Sequence, residues 1–269
     1  MNGTYKRLVL ERSGDVLTIQ LSSPKRRNAV DAAMHEELPR AFRAAAADRG
    51  IGAIVLTGDP AGRAFCAGGD LNWIGEVAQT AEGYARVLRE GADVLHAMID
   101  APQPIIAMIN GAAVGLGATL ALFADISFMD EAAIIADPHV GIGVAAGDGG
   151  AVIWPLLVGP NKAKEFLMTG DALSGTEAAA MGLVNHAVPA AQLAQRTYAL
   201  AERLVSGPRL AIEFTKRSVN RYLRLVLDQM IDASLALEGL TFRTADHAEA
   251  IAAFREKRKP QFARSSEAQ

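Results

Sequence analysis

Two glycine-rich segments carry residue types that can stabilise a developing negative charge. Ala64-Phe-Cys-Ala-Gly-Gly-Asp-Leu71 is predicted to follow a strand and a loop. Asn110-Gly-Ala-Ala-Val-Gly-Leu-Gly-Ala118 follows another strand and enters a helix. Small residues let a backbone approach a ligand closely, and unpaired N–H groups at a helix start point outward with positive dipole character. Two such donors aimed at one oxygen make an oxyanion hole, which stabilises charge developing on a carbonyl. Tight strand–helix packing is the other use of the same residues, and either segment alone is compatible with both. Neither matches the dinucleotide fingerprint Gly-x-Gly-x-x-Gly or the phosphate loop, which needs Gly-Lys-Ser/Thr.

The elements that must hold these segments are short strands alternating with helices. Leu8 to Leu10, the turn Ser13-Gly14-Asp15 and Val16 to Leu21 predict a β-hairpin. Asp31 is placed to cap a helix reaching about Asp48, with Pro39 bending it or opening its second part. Ile54 to Thr57 reads as a buried strand, Thr80 to Ile99 as a helix and Ile105 to Ile109 as a strand. A helix from Gly115–Gly117 to about Ala124 and a strand over Asp125 to Met129 follow, and this alternation predicts an α/β fold. From about Ala190 strand signals stop. Helical periodicity continues through Leu204, Phe214 to Leu227, and Ala248 to Phe262. The chain therefore divides into an α/β core, residues 1–189, and a helical C-terminal region, residues 190–269. No linker rich in Pro, Gly or Ser separates them, so the helices are expected to pack on a core.

Composition narrows the function. The 269 residues are 50% hydrophobic and 21% charged, an ordinary globular balance. Lys and Arg total 27 against 30 acids, a net charge of −3, so no nucleic-acid partner is expected. One cysteine, Cys66, leaves no internal disulfide and no need of an oxidising compartment; between Phe65 and Ala67 it reads as a packed residue. The N-terminus lacks an apolar signal core. Residues 101–124 carry no charge but contain Pro102, Pro104 and Asn110, which fits a buried strand followed by a helix better than a membrane span. The expectation is a cytoplasmic protein without a membrane partner. His35, His96, His186 and His247 show no metal-ligand spacing, so no metal is expected.

The two glycine segments together, with four other stretches, resemble the crotonase family, also called the enoyl-CoA hydratase/isomerase superfamily. The other stretches are Ser23-Pro-Lys-Arg-Arg-Asn-Ala-Val30, Leu167-Met-Thr-Gly-Asp171, Ala178-Ala-Ala-Met-Gly-Leu-Val184 and Ala253-Phe-Arg-Glu-Lys-Arg-Lys259, in the family's order over nearly the whole chain. The resemblance implies a spiral of ββα units, a C-terminal helical trimerisation region, and a homotrimer or a hexamer of two trimers. It implies an acyl-CoA thioester substrate, with coenzyme A as part of that substrate and no separate cofactor. The thioester enolate would lie between the backbone N–H groups of Gly69 and Leu116. Gly68 and Asp70 belong to the same loop, and Ala67 would present its carbonyl to the adenine. Lys25 or Arg26 would lie near the CoA phosphates. Phe254 and Lys257 would reach a neighbouring subunit's CoA, although a solvated helix face explains Lys257 equally well. Trp73, Tyr84 and Leu88 are expected among the pocket walls, and Trp154 in pocket or core.

The resemblance also implies two catalytic glutamates, and both are missing. Thr119 occupies the first position and His139, in Asp137-Pro138-His139, the second. Threonine is no base near neutral pH, though it can hydrogen-bond a water or a substrate oxygen. Histidine can act as base or acid, so His139 is the candidate proton-transfer residue. Asp148, in Ala146-Gly-Asp-Gly-Gly150, has two readings. It caps the following helix, or it orients His139, stabilises its charged form or acts as acid/base itself. A His–Asp pair at this spacing is similar to that of crotonase relatives that hydrolyse a β-diketone. Glu238, an isolated acid in an apolar stretch, is expected to be paired or exposed. The leading expectation is an enoyl-CoA hydratase or isomerase. The alternatives are hydrolysis of a β-dicarbonyl or CoA thioester, and acyl-CoA binding without catalysis.

Overall fold

The computed structural model describes residues 4–77 and 80–262. β1 (Leu8–Ser13) and β2 (Val16–Leu21) form the expected antiparallel hairpin, with Gly14 at φ +57° in its turn. α1 (Ala32–Ala47) begins where Asp31 accepts a hydrogen bond from the Met34 N–H at 3.1 Å, and it continues through Pro39. The next three units repeat one order. β3 (Ala53–Gly58) and β4 (Ala64–Cys66) lead into α2 (Leu71–Val77) and α3 (Ala81–Asp100). β5 (Ile105–Ile109) and β6 (Ala112–Val114) lead into α4 (Leu116–Leu122). β7 (Ile126–Asp130) and β8 (Ile134–Ala136) lead into α5 (Gly150–Thr169). The chain then runs through β9 (Leu173–Ser174), α6 (Gly175–Ala180), β10 (His186–Val188), α7 (Ala190–Val205), α8 (Arg209–Thr241) and α9 (Ala245–Glu256).

Among the described residues the strands make two sheets, ordered β1-β2-β3-β5-β7-β10 and β4-β6-β8-β9. In the larger sheet β2, β3, β5, β7 and β10 are parallel, and the central strands are buried on both faces. Ile54 and Leu56 of β3, with Ile105, Ala107 and Ile109 of β5, enter the main core against α1, α3 and α4. The alternate residues Ala53, Val55, Ile106 and Met108 pack with Leu193 and Ala201 of α7. That two-sided burial is why these strands read as continuous apolar runs rather than alternating ones. Helix α7 thus closes the outer face of the α/β sheet, and Leu227, Ile231 and Leu235 of α8 join the main core.

Two helix boundaries differ from expectation. α9 stops at Glu256 instead of reaching Phe262, because Lys257 turns to φ +55° and Arg258 folds back to Glu249 at 2.8 Å. α5 runs past Val158, but Gly159 at φ +78° breaks it between an apolar first half and a second half begun by Pro160. The uncharged stretch 101–124 contains β5, β6 and α4. Among the described residues no helix is long and apolar enough to cross a membrane.

Candidate active site

Three short parallel strands assemble the site. Cys66 pairs with Ala113 and Val114 with Ala136, so β4, β6 and β8 end side by side. The residues that follow them, Ala67 to Gly69, Gly115 and Leu116, and Asp137 to His139, therefore converge where the carboxyl ends of a parallel sheet open. Glycine is needed for that convergence. Gly68 sits at φ +90°, where a Cβ would meet the Val114 carbonyl oxygen at 2.9 Å, and Gly117 lets α4 rest against Cys66. The Gly115 N–H is used by the Ala136 carbonyl at 2.9 Å. The N–H groups of Gly69 and of Leu116, the first residue of α4, donate to no backbone or side-chain acceptor among the described residues. Both residues line one cavity of about 290 Å³. Both uses of the glycine segments, tight packing and free donors, coexist here.

His139 stands beside these donors. A Cβ on Gly115 would lie 3.5 Å from its Cε1 and 3.9 Å from its Nε2. Asp137, fully buried, makes a short hydrogen bond with Nδ1, and Asp148 Oδ2 faces Nε2 at 3.5 Å. Burial works against a charge on the ring, but the two carboxylates hold its pKa well above the ordinary histidine value. Burial also works against charge on Asp148. The His139 ring, the Thr119 hydroxyl donating at 3.1 Å and the Gly150 N–H outweigh it and keep this carboxyl below its usual value. The N-cap of α5 is Gly149, so Asp148 is aimed at His139 while still receiving one N–H of that helix. Asp137, Asp148 and His139 offer atoms within 4.8 Å of one another, a spacing a cation could share, but both ring nitrogens already face carboxylates.

The orienting partner that the sequence reading missed is Asp137. Its type and place beside Pro138 were visible, but only the ring orientation gives it the Nδ1 contact. Glu238 is the second omission and corrects an expectation. It is neither exposed nor ion-paired among the described residues: at 7% exposure it lines the cavity with His139 and Asp148. Burial first, then the Asp148 and Asp137 charges, push its carboxyl up to about 8.

The remaining expected residues divide. The segment carrying Lys25 and Arg26 docks on the oxyanion loop: Val30 N–H donates to Gly68 at 2.8 Å and Asp70 N–H to Val30 at 2.8 Å. Arg26 pairs with Asp70 at 2.9 Å, while Lys25 is exposed. Asp70 caps α2 through the N–H groups of Asn72 and Trp73. Thr119, fully buried, gives its hydroxyl to Asp148 rather than to the cavity. Ala67, Gly68, Trp73, Leu88 and Phe254 line the cavity; the Tyr84 side chain lies outside the described residues. Phe254 is 63% exposed at the cavity of its own chain, and Lys257 is exposed at the end of α9. Trp154 is in the core. Burial pushes the Cys66 thiol up to about 12, in keeping with a packed residue.

Comparison with known proteins places this arrangement. The family model described as enoyl-CoA hydratase/isomerase matches residues 11–265. The chain is 34% identical over 259 residues to a probable enoyl-CoA hydratase of Rhizobium meliloti, covering 96% of this chain and 98% of that one. It is 30% identical to a crotonyl-CoA hydratase of Syntrophomonas wolfei, with the same coverage. A solved enoyl-CoA hydratase/isomerase from Mycobacterium paratuberculosis superposes with a TM-score of 0.86 at 34% identity, over 91% of this chain and 97% of that one. With its ββα order, its C-terminal helices and this match along nearly its whole length, the chain belongs to the enoyl-CoA hydratase/isomerase, or crotonase, family.

Proposed function

We propose that this enzyme hydrates or isomerises an enoyl-CoA thioester, holding the thioester enolate on the N–H groups of Gly69 and Leu116. The observation that carries the reading is the opening of two uncommitted N–H donors and the His139–Asp148 pair onto one cavity. Charge that develops on the carbonyl meets fixed dipoles, which need no reorganisation at the moment of reaction. His139 and Asp148 act as one proton-transfer unit. The ionised Asp148 carboxylate is the proton acceptor, and the imidazolium, fixed by Asp137, balances its charge. An isomerisation needs only this unit, since one proton removed from the α-carbon is returned at the γ-carbon.

Lys25 and Arg26, docked beside the Gly68–Asp70 loop, are proposed to meet the CoA phosphates, and the Ala67 carbonyl the adenine. Phe254 and Lys257 are proposed to reach the coenzyme A portion of a substrate held by a neighbouring subunit, with Phe254 also lining the cavity of its own chain. A homotrimer or hexamer is part of this reading. Leu210, Phe214, Leu225 and Leu237 leave α8 with exposed apolar side chains that such an assembly would cover. A cytoplasmic location belongs to it as well, resting on the absence of disulfide chemistry.

One observation favours a second reading. An Asp–His hydrogen bond whose ring lines a cavity, with Asp148 at its other nitrogen, is an arrangement that can activate water, as hydrolysis of a β-dicarbonyl requires. That role needs a neutral ring, and the two flanking carboxylates favour the charged one. The test is incubation with crotonyl-CoA and a medium-chain trans-2-enoyl-CoA, following loss of the enoyl absorbance and identifying products by mass, beside His139→Ala. Addition of one water, lost in the variant, is expected. CoA-ester binding with no reaction, or carbon–carbon cleavage of a β-dicarbonyl instead, would overturn the assignment.

A further inference from the structure

Glu238 shares the cavity with His139 and Asp148, yet the proton-transfer unit gives it no task. A buried carboxyl without a cation is costly unless it keeps its proton. The loop before α5 is shaped around this one: a Cβ on Gly147 would lie 2.8 Å from Glu238 Oε2 and 2.5 Å from its Cβ. Only glycine there lets the side chain lie across the loop beside Asp148.

We propose that Glu238 is the proton donor to the α-carbon in hydration, supplying from α8 the second acid–base group that Thr119 and His139 leave unfilled. The proposal rests on the hydratase reading above. Its chemistry follows from the charges around it. Asp137 and Asp148 bear negative charge against one imidazolium, so a third carboxyl in the cluster stays protonated; burial and those two carboxylates lift it to about 8. The Ser234 main-chain carbonyl, one turn earlier on α8, lies against the same loop at Gly147. An ionised carboxylate beside a protonated one is a base and an acid set apart by environment.

The step balances. The water oxygen bonds to the β-carbon while the water proton passes to the Asp148 carboxylate. The electron pair of the C=C bond moves to the thioester oxygen, which rests on Gly69 and Leu116. The enolate then collapses, and the α-carbon takes the proton of the Glu238 carboxyl. The proton gained by Asp148 returns to Glu238, leaving one water added and the enzyme unchanged.

The experiment compares wild type, Glu238→Gln and Glu238→Asp in hydration of a 2-enoyl-CoA and isomerisation of a 3-enoyl-CoA. Hydration kcat should fall about 100-fold or more in Glu238→Gln, with KM and isomerisation changed by no more than about threefold. Glu238→Asp should recover part of the loss. Wild-type hydration should decline above about pH 8, as Glu238 gives up its proton, and the residual rate of Glu238→Gln should lack that decline. Hydration within about threefold of wild type, or parallel loss of both reactions, would overturn the donor role. A wild type that performs neither reaction would instead sink the reading on which the proposal rests.

Discussion

Two sequestered clusters of charge are built differently. In the first, Lys216 of α8, 6% exposed, reaches Asp125 at 2.7 Å and donates to the Gln103 carbonyl at 2.9 Å. Asp125 also accepts the Ile105 N–H at 2.7 Å. Burial lowers the lysine and raises the aspartate, the cost each bears for leaving water. One cation meets one anion, and the pair ties α8 to the start of β5. In the second, Asp137, Asp148 and Glu238 surround one imidazole and open onto a cavity. A matched pair fixes structure. An excess of acid beside a cavity holds protons that can move, and this is where chemistry belongs.

Substitutions can break that contrast in order of expected size. His139→Ala removes the imidazole from the acidic cluster and should lower kcat per folded molecule about 10²–10⁴-fold. Lys216→Ala should do the reverse. Leaving Asp125 uncompensated costs about 3–5 kcal/mol of stability in urea unfolding, with kcat per folded molecule unchanged. Asp137→Asn keeps the shape but weakens a charge-assisted hydrogen bond worth about 1.5–3 kcal/mol. The expected result is a kcat lowered roughly 10–100-fold, with a His139 pKa brought down toward its ordinary value in an NMR titration. Thr119→Val removes the hydroxyl from Asp148; about 1 kcal/mol, a few-fold in kcat, is expected, with KM unchanged. If Lys216→Ala cut kcat as deeply as His139→Ala without unfolding the protein, the contrast between the two clusters would fail.

Local patterns made much of this legible. The apolar runs of β3 and β5, the cap at Asp31 and the glycines at 68, 115 and 117 are legible in residue type alone: two-sided burial, a capping carboxylate and close backbone approach each restrict the residues allowed. The short strands β4, β6 and β8 were harder to see, because three residues carry no period, yet their register is what aligns the oxyanion donors with His139. Asp148 kept two readings until its carboxylate could be seen facing Nε2. Asp137 and Glu238 depend on tertiary placement: one on a ring orientation, the other on a long helix returning across Gly147. Lys257 shows the converse error, since a basic run at helical spacing gave no sign of the left-handed turn that ends α9.

The most direct test of the central claim separates enolate formation from the addition of water. A saturated acyl-CoA in deuterated water can exchange its α-protons but cannot be hydrated, so exchange reads the oxyanion donors and the acid–base groups at the α-carbon without the addition of water. Mass spectrometry of butyryl-CoA should show deuterium entering at the α-carbon with wild type, and exchange falling to the uncatalysed rate with His139→Ala and Asp148→Asn. Exchange in both variants at the wild-type rate, or none with a wild type that demonstrably binds the thioester, would contradict the account.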